Sequence, residues 1–377
     1  MDSLLEGLRL VDAHCHGVVA GPLTADAFGL LATEASEPAP PGVSHLDGPL
    51  GLAIRRWCAP VLDLPAHAPA ADYLARRTQL GADAARRLLH AARLAALFVD
   101  TGIRAPGDDW LDGDELGAAA GARVAEVVRL EAVAEQVAAS GVAAADFAPA
   151  FADALAAATR TAVAVKSVLA YRRGFDIDPS RPARQAVTDA AGGWLRRGAP
   201  RLTDPVLLRH LLWCGVDTGL PIQLHTGFGD RDLTLPRADP SLMRGWYERV
   251  EPSGVPVVLL HCYPYHRQAG WLAQVYPNVY VDVGLTLGHV GAQAGPVLGE
   301  FFELAPFTKV LYSSDAYGLP ELFLVGAAQF RWALGHLLST WLAAGAVADA
   351  DAERLAHAVA ADNARHVYRT AIAASAA

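Results

Sequence analysis

Lysine is almost absent from this chain. Of its 31 basic residues only Lys166 and Lys309 are lysines, and the other 29 are arginines. Where arginine serves every need for a bare positive charge, a surviving lysine is a candidate for a role that requires the amine. A guanidinium neither deprotonates near neutral pH nor attacks carbon dioxide. The alternative, that either lysine is incidental, stays open on sequence alone. Cysteine is scarce too: Cys15, Cys58, Cys214 and Cys262 form no CxxC pair and predict no disulfide framework. Charged residues make up only 19% against 53% hydrophobic, which excludes a disordered chain and allows a large core. Positive charge is in deficit, with a net charge of −9, so no nucleic-acid surface is expected. No uncharged apolar run reaches the roughly 18 residues of a membrane helix; the most apolar late stretch is broken by Arg331 and His336. The N-terminus, Met-Asp-Ser-Leu-Leu-Glu, is acidic and predicts no secretory signal. The expectation is a soluble cytoplasmic protein without membrane or nucleic-acid partners.

What is present is an alternation of short apolar runs with helical patterns. Strands are expected at 8–13, 95–99, 124–130, 161–166, 221–224, 256–260, 279–283 and 309–313. Between them lie Ala- and Leu-rich stretches with apolar spacings of three and four, such as 145–159 and 205–219. Near-continuous apolar strands alternating with helices indicate parallel βαβ units covered on both faces. Eight units predict an α/β fold, a (β/α)8 TIM barrel with its site at the C-terminal strand ends; a doubly wound open sheet is the alternative. The whole chain, 1–377, reads as a single domain. About 80 residues separate the first strand from the second, more than one helix requires, so 17–94 is expected to form a helical insertion. It opens with a turn-rich stretch from Glu34 to Gly51, containing Pro38, Pro40 and Pro41. A lid over the barrel mouth, a peripheral decoration and an oligomer contact are all open for it. Two Pro/Gly-marked loops, 104–113 and 174–184, also follow strands and could reach the site.

The strand ends carry the chemistry. The first finishes in Asp12-Ala13-His14-Cys15-His16, and residues two apart on a strand face the same side, so His14 and His16 can point at one metal ion. Alone, such a pair is a weak signal. The fourth strand ends at Lys166, the fifth in Leu224-His225-Thr226, the sixth in Leu260-His261-Cys262 and the eighth in Ser313-Ser314-Asp315. Each residue alone has an ordinary structural reading, but together they fall on one rim. Neutral imidazoles with a carboxylate suit Zn²⁺ and neighbouring divalent metals.

This order of His14, His16, Lys166, His225, His261 and Asp315 resembles the amidohydrolase superfamily. The segment from Ile222 to Asp230, together with Val258-Leu259-Leu260-His261, the stretch from Val275 to Asp282 and Tyr312-Ser313-Ser314-Asp315-Ala316-Tyr317, narrows the likeness. So does Val165-Lys166-Ser167 followed by Ala170-Tyr171-Arg172. These look similar to the amidohydrolase domain of nodulin/FluG-type proteins, where it is fused to a glutamine synthetase-like domain. The likeness is distinctive from about 160 to 370, and no glutamine synthetase domain is expected after it. The resemblance implies a metal-dependent hydrolase with one or two divalent ions, Zn²⁺ first among them. His14, His16, Lys166, His225, His261 and Asp315 are then the ligand candidates. In binuclear members the strand-four lysine is carbamylated and bridges two metals. For Lys166 a carbamylated bridge, a free ammonium that binds substrate or orients a ligand, and a structural ion pair all remain open. Asp315 is the candidate proton carrier between water and leaving group; His261 either binds a second metal or hydrogen-bonds a developing oxyanion.

The substrate pocket is less legible. Tyr171, Arg172 and Arg173 follow the fourth strand, and the two arginines could form a fork for a carboxylate. Asp230 could take an amine, and Tyr263, Tyr265, His266, Arg129 and Glu131 are further candidates. Gly227 and Gly229 are expected to serve a turn. A carboxylate site beside an amine site suits an α-amino-acid head group, which with the glutamine synthetase association suggests hydrolysis of a γ-glutamyl amide. The alternatives are a metal-dependent decarboxylase or hydratase of a small acid, and a non-catalytic binding domain. The expected partner is a small-molecule substrate. The apolar late helix from Leu322 to Leu342, with Trp332 and Trp341, is expected to pack in the core and leaves a homodimer open.

Overall fold

A computed structural model describes residues 2–103 and 110–369, so that 104–109 of the loop proposed at 104–113 lies outside the described residues. Eight strands run in chain order around one sheet: β1 (Leu10–Cys15), β2 (Leu94–Asp100), β3 (Arg123–Arg129), β4 (Ala164–Ser167), β5 (Ile222–Thr226), β6 (Val257–His261), β7 (Val279–Asp282) and β8 (Val310–Leu311). Every neighbouring pair is parallel. Between β8 and β1 the circle is closed by individual backbone bonds: Ala13 N–H donates to the Tyr312 carbonyl, Asp315 N–H to the His14 carbonyl and His16 N–H to the Ala316 carbonyl. The strands are therefore those of a TIM barrel with helices between them.

Two cores follow from this closure. Val11, Ala13, Ala96, Phe98, Val127, Ala164, Val258, Leu260 and Leu311 fill the barrel interior, the small residues making room for larger ones across the axis. The other face of the strands packs against the surrounding helices as a larger, continuous core. Residues 358–367 close the end where the strands begin: Asn363 Nδ2 donates to the carbonyls of Phe307 and Val310, and Tyr368 projects into the interior cluster.

The expected eighth strand, 309–313, shortens to Val310–Leu311 because Tyr312 and the residues after it turn to bond with β1. The fourth starts at Ala164 rather than 161. The stretch between β1 and β2 holds helices Ala25–Leu31, Pro49–Trp57, Ala70–Leu80 and Ala82–Ala91. The last of these packs between Pro320–Ala343 and Gly113–Ala120, the ordinary position of a barrel helix, so the added material ends near Leu80. Pro320–Ala343 is buried along much of its length, and among the described residues no helix is long and apolar enough to cross a membrane.

The added helices are held to the barrel by polar staples. Arg77 Nε donates to Glu321 Oε1 at 2.6 Å, Tyr73 OH donates to the same oxygen at 2.9 Å, and Trp57 Nε1 donates to Gln329 Oε1 at 2.8 Å. Glu321 is fully buried. Removing its cation leaves an interior carboxylate uncompensated, so Arg77→Met is expected to cost about 3–5 kcal/mol. Replacing Glu321 by Leu as well recovers much of that loss. Thermal unfolding of the three proteins side by side checks this; an unchanged midpoint for Arg77→Met would refute it.

Candidate metal centre

β1 ends so that His14 and His16 lie with ring centroids 5.1 Å apart and nearly perpendicular. His14 Nδ1 is 2.8 Å from Gln223 Oε1, and His16 Nδ1 is 3.1 Å from the Asp100 carbonyl. Both partners only accept, so each Nδ1 carries the proton and each Nε2 keeps its lone pair. Those lone pairs meet Asp315, whose Oδ1 is 3.2 Å from His14 Nε2 and 3.4 Å from His16 Nε2. One ligand atom from each of the three residues falls within 4.8 Å of the others. His261, at the end of β6, places Nε2 3.4 Å from Asp315 Oδ2. The His225 ring lies 4.6 Å from that of His261, with its Nε2 directed to the Phe228 carbonyl at 3.1 Å. Lys166 Nζ donates to His14 Nε2 at 2.9 Å. The sequence-expected ligand candidates are thus neighbours, but among the described residues only His14, His16 and Asp315 group as one ligand set, and His225 turns Nε2 to a backbone carbonyl.

The residues fit a divalent cation. Both ring nitrogens of His261 and Oδ1 of Asp315 are buried without a hydrogen-bond partner, a state that interior polar atoms rarely tolerate. The nitrogen and carboxylate donors are those of zinc and its neighbours. Burial pushes His14 down to about 4 and His261 down to about 3, which keeps both imidazoles in the neutral, ligating form at neutral pH. Burial would raise Asp315, but the surrounding imidazoles, His261 foremost, hold its carboxyl well below the usual range. Burial also lowers Lys166 to about 8 against the pull of Asp100 and Asp315.

Three buried carboxylates that the sequence reading did not single out hold this arrangement. Asp12 accepts from Ser314 N–H at 2.8 Å and from Ser314 Oγ at 2.5 Å. Asp282, the last residue of β7, accepts from the His261 and Gly284 amides at 2.8 and 3.0 Å and from Ser313 Oγ at 3.0 Å. Asp100, at the end of β2, takes both Nε and Nη2 of Arg129. Asp100 and Asp282 end their strands and Asp12 lies two residues before His14 on β1, which was the available signal. His261 and Asp315 both carry positive φ, 68° and 52°, so these amide anchors also hold residues in an uncommon backbone state.

Above the cluster opens a cavity of about 530 Å³, lined among others by His16, Glu34, Arg129, Lys166, Tyr171, Arg172, His225, Asp230 and Asp315. A larger cleft of about 690 Å³ lies elsewhere, between Leu5, Trp57, Leu324 and Trp332 on the outer helices, away from these groups. Gly227 has φ 69°, and a Cβ there would stand 2.3 Å from the Tyr263 carbonyl oxygen; one at Gly229 would stand 2.0 Å from Tyr171 OH. Both glycines are fixed by close approach around the cavity wall.

A profile of the family described as amidohydrolase matches residues 11–370. The chain belongs to the amidohydrolase family. It is 36% identical over 187 residues to protein fluG of Emericella nidulans, a match covering 46% of this chain and 21% of fluG. The matched region is thus about a fifth of that relative's length. A solved structure from Lactobacillus casei, described as a metal-dependent hydrolase, superposes with a TM-score of 0.86 at 29% identity, over 98% of this chain and 97% of that one. Glucuronate isomerase of Caulobacter crescentus shares the fold, with a TM-score of 0.67 at 14% identity over 98% and 92% of the two chains.

Within this amidohydrolase, several expected substrate contacts take other positions. The two arginines diverge: Arg172 lines the cavity with Nη1 donating to Glu135 at 2.8 Å, and Arg173 is exposed at the end of its short helix, outside the cavity lining. His266 stacks on Tyr263 and hydrogen-bonds Glu300 at 2.5 Å on the flank, and Tyr265 OH donates to the Leu235 carbonyl. Glu131 is buried, accepting from Ser167 Oγ and Val168 N–H. Tyr171 and Asp230 do line the cavity, joined by a bond from Asp230 N–H to Tyr171 OH at 3.3 Å.

Glu34, from the insertion, was not expected there. Its carboxyl is pushed up to about 8 by burial and by the neighbouring Asp315 and Asp230. A carboxyl that holds its proton longer when folded than when unfolded stabilises the fold less as pH rises between those two values. For Glu34→Gln, the midpoint difference from the parent is therefore expected to grow from near zero at about pH 5 to its full size above pH 8. Thermal melts of metal-free protein across that window test it; a difference independent of pH would contradict it.

Proposed function

We propose that this amidohydrolase cleaves the C–N bond of an amide with a metal-activated water, and that its substrate is an amide of an amino acid, with γ-glutamyl amides the first candidates. The observation that carries the reading is the convergence of His16, His225, Lys166 and Asp315 on the cavity lining, with His14 and His261 buried beside Asp315. His14, His16 and Asp315 would hold a divalent cation, Zn²⁺ being our choice, which would supply acidified water and a polarised carbonyl. Asp315 is the one carboxylate among these groups. Held ionised, it accepts the proton released as water attacks and passes it to the leaving nitrogen. His261, with unpartnered ring nitrogens beside Asp315, ligates or donates to the carbonyl oxygen as negative charge develops.

The cavity wall supports an amino-acid head group. Arg129, the last residue of β3, brings a guanidinium to one side. Asp230 and Asp232 make another side acidic. A zwitterion is complementary to that division. The lowered proton affinity of Lys166 supplies free amine near pH 8, the form that reacts with carbon dioxide, so a carbamylated Lys166 that would help hold a second ion is part of the proposal.

Elemental analysis of protein purified without chelators, with bicarbonate present, is expected to find two divalent ions per chain. Lys166→Ala removes most turnover and one of the ions. Asp315→Asn lowers kcat by about 10²–10⁴-fold, the usual contribution of a proton-transfer group. Steady-state rates on a panel of γ-glutamyl amides and anilides test the substrate class. Cleavage of other amides alone would remove the γ-glutamyl assignment, and carbon dioxide release from small acids without amide cleavage would replace hydrolysis by decarboxylation.

A further inference from the structure

The two β1 histidines are supported in different ways. His16 rests on a backbone carbonyl, that of Asp100. His14 rests on a side chain from the far side of the barrel: Gln223 of β5, whose Oε1 accepts from Nδ1 at 2.8 Å. Gln223 is fully buried, and its amide nitrogen donates to the Ala13 carbonyl at 2.7 Å and to Tyr368 OH at 2.8 Å. The Ala13 carbonyl can only accept, so the NH₂ group must face it and the oxygen must face His14. Tyr368 takes the remaining N–H, which would otherwise be buried without a partner. The Tyr368 ring is packed edge-on against Phe98 at 4.9 Å.

We propose that Gln223 and Tyr368 are positioning residues of the metal centre. Together they fix the His14 tautomer and ring plane that present Nε2 to the cation, and so tie metal affinity to the seating of residues 358–368 at the opposite end of the barrel. The inference rests on the metal reading above. Hydrogen-bond partners of a ligating imidazole's second nitrogen set its tautomer and basicity, and losing them lowers metal affinity about 10–100-fold.

The test uses Gln223→Met and the isosteric Tyr368→Phe, with Arg77→Met as a destabilised control far from the centre. Zn²⁺ and Co²⁺ dissociation constants are measured by chelator competition on folded protein, with the visible spectrum of the Co²⁺ form and the melting point of the metal-free form. Gln223→Met is expected to weaken binding about 10–100-fold and Tyr368→Phe about 10-fold or less, with an altered Co²⁺ spectrum in both. Arg77→Met is expected to melt earlier with parental affinity and spectrum. Parental affinity in both test variants, or an equal loss in Arg77→Met, overturns the positioning role while leaving the metal centre intact. A parent chain that takes up neither ion overturns the metal reading and this inference with it.

Discussion

The Asp12 carboxylate bridges the first and last strands, and the remaining architecture of the site depends on that closure. Its two oxygens hold the backbone and side chain of Ser314, one residue before Asp315. Across the same seam run the backbone bonds from Asp315 to His14 and from His16 to Ala316. The same three residues then meet as a potential ligand set. Burial raises the Asp12 carboxyl to about 7 even with Ser314 donating to it, a sign of how much solvation was given up to place it there. Asp282 repeats the device one strand earlier, anchoring the His261 amide and Ser313, and burial raises it to about 6. The centre is thus suspended from buried carboxylates that grip backbone amides rather than metal.

This division explains what the sequence made legible. His14, His16, His225, His261, Lys166 and Asp315 could be placed together because strand ends share one rim and side chains on a strand alternate with period two. Strand positions were readable to within a few residues for the same reason, since interior strands of a parallel barrel are short apolar runs. The supporting residues follow a different logic. Gln223 matters because register sets it across from His14, and Tyr368 because 358–367 folds back under the barrel; neither relation leaves a local pattern. Arg172 reaches the cavity lining already paired, because the helix Leu130–Ala139 brings Glu135 alongside it. Pairwise long-range choices of this kind are invisible to periodicity.

The two lysines show both outcomes of a compositional argument. Lys166 stands among the rim groups, buried and bonded to His14. Lys309 does something else that suits an ammonium: it donates to the carbonyls of Ala273 and Tyr276, where the helix His266–Val275 ends and its carbonyls lack helical partners. A compact cation with rotatable donors reaches two such oxygens in a small space. The two lysines thus occupy unlike places, one buried among the rim groups and one at a helix end.

The stretch between β1 and β2 is split in its attachments. Its helices are riveted to the barrel through Arg77, Tyr73 and Trp57, whereas residues 33–36 hang over the cavity mouth and supply none of the grouped ligands. Part of the cavity's mouth is therefore encoded apart from the grouped ligands, so residues 33–36 can be substituted to reshape the opening without altering any of those three side chains.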